Sequence, residues 1–254
     1  MARVDPDKMS FLEHLDELRS RLIRVVASLV VGFGACWAFR DPIFHFLTQP
    51  LRASHPDIKF IFTSPSEALI LKMKMAFFVG IFLAAPYILY QIWAFVSPGL
   101  YRHEKAYAVP FIVAGSLFFM GGAAFGHYYL FPITFRFLVD FGGTDMQFLP
   151  KVGEYYSFYS WFLLGLGIVF QLPVVIFVLA RIGLVTPGFL MRKFKYAIVI
   201  AFVVAAIITP TPDMVTQSLL ALPMLGLYLI GVAVAAVFGK PRRREAGTEV
   251  SAEA

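Results

Sequence analysis

The chain has 254 residues, of which 59% are hydrophobic and 17% aromatic, and its formal net charge is +6. Only 15% of the residues are charged and the mean hydropathy is +0.75, a composition that excludes a water-soluble globular protein. Uncharged segments long enough to cross a bilayer recur along the chain, with basic residues at their ends. This pattern is typical of a multi-span membrane protein and argues against nucleic-acid binding.

The first predicted element is an amphipathic helix at about residues 10–21. Ser10 followed three residues later by Glu13 forms a capping box, and apolar residues then recur every three or four positions. The opposite face is charged, and the first predicted span follows at residues 22–39. A cleaved signal sequence is the alternative for this region, but the acidic residues of the lead argue against it.

The connection from residue 40 to residue 71 is predicted to be a mixed loop, with Pro50 in a turn. Its short apolar segment, residues 43–47, cannot cross a bilayer, so we expect it to lie along the membrane surface or pack against the bundle. Ser64 and Glu67 then indicate a helix start, with Glu67 at the third helical position.

Five further spans are predicted, and in chain order they cover residues 75–96, 106–131, 155–180, 196–208 and 214–238. The segment at 196–208 is only about 20 Å long as a helix. Six spans place both termini on one side of the membrane. Most of the 22 lysine and arginine residues fall on that side, which predicts cytoplasmic termini.

The domain organisation follows from these spans. Residues 1–239 are predicted to form one all-α membrane domain of six helices, and residues 240–254 a basic, polar cytoplasmic tail that is disordered.

The sequence offers little for catalysis. The five histidines and Cys36 have no metal-ligand spacing, and neither a nucleophile elbow nor a glycine-rich phosphate loop is present. We therefore expect no enzyme, no metal and no cofactor. The acidic residues leave two readings open: Glu17 and Glu104 could act together at the membrane surface, or Glu17 could pair with Arg21 while Glu104 is solvated.

A set of sequence segments, taken in order along the chain, indicates the class of membrane protein. The segments read FLEHLDELRSRL, SPSE, QIWAFVSPGLYRHEK, FQLPVVIFVL, TPTPDMVTQ and LLALPML. Together they resemble the TatC family, the multispanning receptor of the twin-arginine protein translocase, from residue 11 to about residue 228. The resemblance implies a concave, glove-like bundle in the inner (cytoplasmic) membrane of the cell. It also implies a receptor, within an oligomeric complex, for signal peptides that carry consecutive arginines on folded proteins.

The resemblance further implies a peptide site. Glu17 in the HLDELR segment and Glu104 in the LYRHE turn would meet the arginine pair, while Arg19 and Arg102 shape the same surface. A guanidinium binds a carboxylate through two parallel hydrogen bonds, a geometry that a lysine ammonium cannot copy. Two carboxylates would therefore favour arginine over lysine.

By the same resemblance, Gln171 and Gln217 would belong to a polar patch that engages single-span partners of the TatA and TatB types. Many relatives carry glutamate where this chain has Gln171, and glutamine cannot ionise. The alternative for Gln171 is a hydrogen bond between helices of the bundle.

Three residues, Pro50, Glu67 and Asp213, match the outer-face pattern of the family. Their alternatives are a turn proline, a helix-start residue and a loop acid.

Two other functions remain open for a chain of this composition. A small-solute or ion transporter usually carries acids or discontinuous helices near the middle of the membrane, where this chain has chiefly Gln171 and His127. A purely structural scaffold in the lipid would bind no twin-arginine peptide.

Overall fold

A computed structural model describes residues 11–54, 60–96, 108–143, 148–209 and 213–239. Across these residues the chain is almost entirely helical. Its helices are α1 (Phe11–Ala38), α2 (Arg40–Ser54), α3 (Glu67–Val96), α4 (Ala108–Phe125), a π-helical segment (Gly126–Leu130), α5 (Phe131–Asp140), α6 (Val152–Val169), α7 (Leu172–Arg181), α8 (Pro187–Arg192), α9 (Phe194–Ile208) and α10 (Met214–Phe238). Ser10 of the predicted capping box and the predicted tail at 240–254 lie outside the described residues.

The predicted all-α membrane fold is confirmed. Within the part of the chain that the structure describes, five helical segments are long and apolar enough to cross a bilayer, and these are Glu13–Ala38, Glu67–Phe95, Val109–Asp140, Val152–Arg181 and Met214–Phe238. The remaining predicted span is α9, a shorter apolar helix of 15 residues. At about 22 Å it is shorter than a hydrocarbon core of about 30 Å.

The connection after the first span differs from the prediction, because most of it is the helix α2 rather than a loop. Pro50 lies inside this helix and is buried, so its prediction as a turn residue was wrong. Leu47 and Leu51, one helical turn apart, are 2% and 1% exposed and belong to the main core. Burial of this apolar stripe outweighs the local cost of proline in the helix. Of the two alternatives for residues 43–47, packing against the bundle is the one observed.

The third span continues beyond its predicted end at residue 131. Gly126–Leu130 forms a π-helical turn, in which the Phe131 amide donates to the Gly126 carbonyl, and α5 then extends the helix to Asp140. Pro132, at the start of α5, lacks an amide hydrogen and crowds the preceding turn of a regular α-helix. The wider π turn accommodates the proline, so the chain stays helical where the sequence predicted a loop.

The main core is built around α6. Tyr155, Tyr159, Phe162 and Leu166 recur every three or four residues and are at most 5% exposed. Phe131 at the start of α5 packs against three of these rings with centroid distances of 4.9–5.7 Å. The fourth span breaks after Val169 and resumes as α7 at Leu172, since Pro173 removes an amide from the helical ladder.

Helix α1 lies outside this core and packs chiefly on α3. The two helices come into direct backbone contact at Gly32 and Gly80. A Cβ atom on Gly32 would lie 2.8 Å from the Gly80 carbonyl oxygen, and one on Gly80 would lie 2.9 Å from the Gly32 carbonyl carbon. Small residues allow such close approach of membrane helices, so this contact sets the position of α1.

We predict that Gly32→Ala and Gly80→Ala destabilise the protein by about 1–3 kcal/mol, since either added methyl group forces the two backbones apart. Thermal unfolding of the purified protein in detergent measures the effect. Gly34→Ala is the matched control, because a Cβ there meets nothing within 4 Å. Equal melting temperatures for Gly32→Ala and Gly34→Ala would contradict the close contact.

Candidate binding site

A polar cluster joins the beginning of α1 to the end of α3. Arg21 Nε donates to Glu17 Oε1 at 2.9 Å, and Arg21 Nη2 donates to the same oxygen. Arg21 Nη1 donates to Gln91 Oε1, on α3, at 3.3 Å. Gln91 is 2% exposed, and the Glu17 and Arg21 side chains are each 18% exposed. Arg21 thus bridges the two helices, and the i,i+4 pairing of Glu17 with Arg21 is confirmed.

The second oxygen of Glu17 has a different environment. Glu17 Oε2 is buried and accepts no hydrogen bond from the residues that the structure describes. A buried acceptor without a donor costs about 1–3 kcal/mol, and more where it carries charge. The Glu17 carboxylate therefore retains the capacity to accept hydrogen bonds from a further cation.

The connection between α3 and α4 begins and ends near this cluster. His14 stacks on Phe95 with ring centroids 4.4 Å apart, which places the first turns of α1 against the last turn of α3. Trp93 contacts Phe111 at a centroid distance of 4.7 Å, so the first turns of α4 lie at the same end of α3. Residues 97–107, which include Arg102 and Glu104, connect these helix ends and lie outside the described residues.

Arg19 does not join the Glu17 cluster. It lies two residues from Glu17 on α1, a spacing that points two side chains to different sides of a helix, and its side chain is exposed. The residues that form the cluster with Glu17 are instead Arg21, which contacts it directly, and Gln91, which contacts Arg21. The i,i+4 spacing indicated Arg21, whereas a single glutamine in an apolar span gave no sign of its partner.

The two glutamines proposed for partner contact occupy separate positions. Gln171 Nε2 donates to the Gly115 carbonyl oxygen at 2.9 Å, which is the hydrogen bond between helices that the sequence left as an alternative. Gln217 is half-buried in the first turn of α10. Ile176 on α7 contacts Gly231 on α10. Measured from this contact toward the start of each helix, Gln171 and Gln217 differ by about 14 Å in position along the helix axes. They therefore do not form one continuous contact.

Asp213 and Glu67 both organise helix starts. Asp213 ends the connection before α10, as the loop-acid reading has it, and also caps that helix, where its Oδ1 accepts from the Thr216 amide at 2.8 Å. Glu67 opens α3, and its Oε2 accepts from the Thr63 amide at 2.8 Å, which confirms the predicted helix-start role. Gly153, in the first turn of α6, packs directly against the Glu67 carboxylate, so Glu67 links two helix starts.

An ion pair connects α2 to α3. Lys72 Nζ donates to Asp41 Oδ1 at 2.7 Å, and this hydrogen bond lowers the pKa of Asp41 below its ordinary value. A lowered folded-state pKa stabilises the fold above the ordinary aspartate range, and that stabilisation is lost as the pH falls through the lowered pKa. Both side chains are exposed to water, so the contribution is small.

Comparisons with known proteins agree on one family. A family model described as Sec-independent protein translocase protein (TatC) matches residues 13–223. The Sec-independent protein translocase protein TatC of Koribacter versatilis is 41% identical over 243 residues, which cover 93% of this chain and 89% of the relative. The protein of the same name from Desulforapulum autotrophicum is 42% identical over 250 residues, which cover 98% of this chain and 92% of the relative.

Solved structures agree with the sequence matches. A crystal structure described as the twin-arginine translocase receptor TatC in DDM superposes with a TM-score of 0.79 at 39% identity, covering 90% of this chain and 100% of the other. A second crystal structure of that receptor gives a TM-score of 0.77 at 39% identity, covering 88% and 98%.

We predict that Asp213→Ala destabilises the protein by about 1 kcal/mol, because the amide and hydroxyl of Thr216 lose their acceptor. Chemical or thermal unfolding in detergent measures the loss. Asp213→Asn keeps a side-chain oxygen at the cap and should remain close to the unsubstituted protein. An unchanged melting temperature for Asp213→Ala would show that the cap contributes nothing.

Proposed function

The chain belongs to the TatC family of Sec-independent protein translocase proteins, and we propose that it is the signal-peptide receptor of a twin-arginine translocase. Its ligands are signal peptides with consecutive arginines on proteins that are already folded. The observation that carries the proposal is the Glu17 carboxylate. It lies near the end of α3, which Glu104 follows in the sequence, and it keeps one buried oxygen without a donor among the described residues.

The recognition chemistry rests on paired carboxylates and guanidinium groups. Glu17 and Glu104 each accept hydrogen bonds from one arginine of the pair, and Arg102, two residues before Glu104, borders the same surface. Hydrogen bonds to charged groups contribute about 1.5–3 kcal/mol, so losing one good contact lowers affinity about tenfold to a hundredfold. Lysine supplies charge without the planar fork and is bound less tightly.

The proposed setting is the inner (cytoplasmic) membrane, with both termini in the cytoplasm. Arg181, at the end of α7, donates to the Phe238 carbonyl at the end of α10, so these two helix ends lie on one side. Arg192, Lys193 and Lys195 lie in the next part of the chain, at the end of α8 and the start of α9. The positive-inside rule assigns this basic side to the cytoplasm.

We also propose that the chain catalyses no covalent reaction and assembles with TatA- and TatB-type single-span proteins in an oligomeric complex. The relatives and solved structures that it matches are named as translocase components, which supports an assembly role and gives the solute-transporter alternative no support. Gln171 and Gln217 are the proposed contact residues for these partners.

We predict that Glu17→Gln or Glu104→Gln weakens binding of a fluorescent twin-arginine peptide about tenfold to a hundredfold, because each removes a charged acceptor. Fluorescence anisotropy on the purified full-length protein measures the affinity. Asp16→Asn, an exposed substitution on the same helix, should leave it unchanged. Tight binding by both single variants and by the double variant would remove the proposed site.

We predict that Gln171→Leu reduces co-purification of TatA- and TatB-type partners, because the leucine cannot offer them a polar contact. Ser116→Ala is the control, since its hydroxyl bonds to the Ile112 carbonyl of its own helix at 2.6 Å. The melting temperature of each variant, purified without partners, measures separately the stability lost with the hydrogen bond to Gly115. Full partner retention by Gln171→Leu would leave that hydrogen bond as the role of Gln171.

A further inference from the structure

A groove runs along the surface of the bundle between α3 and α6, at the end of α3 opposite to Glu17. Both helices begin at this end, because Gly153 in the first turn of α6 packs against the Glu67 carboxylate. Further along, the Tyr156 hydroxyl donates to the Lys74 carbonyl at 2.8 Å. The groove has a volume of about 310 Å³, and its walls include Lys74, Phe77 and Ile81 of α3 and Ser157, Trp161 and Leu164 of α6. It opens toward the lipid, since large side chains on both walls remain exposed.

The polarity of the groove changes in the same direction along both walls. Lys74 and Ser157 lie at the end nearest the membrane surface. Ile81 and Leu164 lie seven residues further along their helices, which is about 10 Å deeper in the membrane. Trp161 lies between these levels, and indole rings concentrate in the interfacial region of a membrane. The groove is therefore cationic near the surface and apolar below, in the same order as the phosphate and the acyl chains of a phospholipid.

Lys74 supplies the charge for a phosphate. Its side chain is exposed, and its ammonium forms no ion pair with any residue that the structure describes. Lys72 differs, because its ammonium donates to Asp41 at 2.7 Å and so points to another side of α3. Helical side chains lean toward the start of their helix, so the Lys74 ammonium extends toward the membrane surface. A cation in this position attracts the anionic part of a lipid headgroup.

A carboxylate lies beyond Lys74, nearer the membrane surface. A second cavity, of about 220 Å³, adjoins the groove there, shares Lys74 and Tyr156 with it and is lined by Glu67. Glu67 lies seven residues before Lys74, about two helical turns closer to the surface. Its Oε2 accepts from the Thr63 amide, and a carboxylate has room for further donors. This order of charges complements phosphatidylethanolamine, in which an ammonium lies outside a phosphate.

We propose that this groove is a binding site for one phosphatidylethanolamine molecule of the surrounding membrane. The phosphate pairs with Lys74, the ammonium donates to the Glu67 carboxylate, and an acyl chain follows Ile81 and Leu164. Phosphatidylglycerol offers the same phosphate but no ammonium, so it lacks the pairing with Glu67 and binds less tightly. The bound lipid contacts both α3 and α6, at the opposite end of α3 from the proposed peptide site.

Trp161 gives a direct readout of binding, because bromine on an acyl chain quenches the fluorescence of a tryptophan that it contacts. The chain has three tryptophans, and Trp37→Phe with Trp93→Phe leaves Trp161 as the reporter. The full-length protein in dodecyl maltoside is titrated with brominated phosphatidylethanolamine or brominated phosphatidylglycerol. We expect saturable quenching by both lipids, with about threefold tighter binding of phosphatidylethanolamine.

Three variants of this reporter protein assign the contacts. Lys74→Gln removes the partner of the phosphate, so both lipids should bind about fivefold less tightly. Glu67→Gln removes the partner of the ammonium, so phosphatidylethanolamine alone should lose affinity and its preference over phosphatidylglycerol should disappear. Lys72→Gln is the matched control, because it removes the same charge from the same helix outside the groove, and it should change neither affinity. Melting temperatures report any loss of stability separately.

Three results would overturn the inference. Equal lipid affinities in Lys74→Gln and Lys72→Gln would remove the phosphate site. Equal binding of the two lipids, with no loss in Glu67→Gln, would remove the assignment to phosphatidylethanolamine. Quenching that rises without saturation for both lipids would show that the groove selects no lipid, as expected of a docking surface for a helix of another protein.

Discussion

The contact between Gly32 and Gly80 is the constraint on which the proposed site depends. It brings the backbones of α1 and α3 together without intervening side chains and so fixes the register of the two antiparallel helices. Arg21 lies eleven residues before Gly32, and Gln91 lies eleven residues after Gly80, a distance of about 16 Å along each helix. The hydrogen bond between Arg21 and Gln91 is therefore a direct consequence of where the two glycines meet.

This arrangement gives Glu17 its unusual environment. A charged side chain on an exposed helix would normally be surrounded by water and would distinguish cations poorly. Packing of α1 on α3 instead encloses one carboxylate oxygen and supplies the other with an arginine. Electrostatic interactions strengthen when water is excluded, so a partly enclosed carboxylate can discriminate a planar guanidinium from an ammonium. The same packing that supports the helix therefore prepares the binding chemistry.

Much of the fold could be predicted from the sequence, because long apolar segments report membrane spans directly. The predicted sixth span and α10 have the same bounds, and Glu67 lies at the start of its helix as predicted, at the first position rather than the third. The helix α2 was missed because the burial of Leu47 and Leu51 is a tertiary effect that outweighs Pro50. The π-helical turn before Pro132 was missed because proline usually ends a helix.

Only part of the candidate site could be predicted, because local spacing indicates contacts within one helix and not contacts between helices. Local spacing indicated the pairing of Glu17 with Arg21, but the contact with Gln91 joins residues 70 positions apart and depends on helix register.

The central claim is that α1 and the α3–α4 connection form one peptide site. Its most direct test places a photo-reactive residue beside the arginine pair of a signal peptide and maps the crosslinked residues by mass spectrometry. The account predicts adducts both in α1 near Glu17 and within residues 97–107. Adducts confined to one of these segments, or located at the opposite ends of α1 and α3, would contradict it.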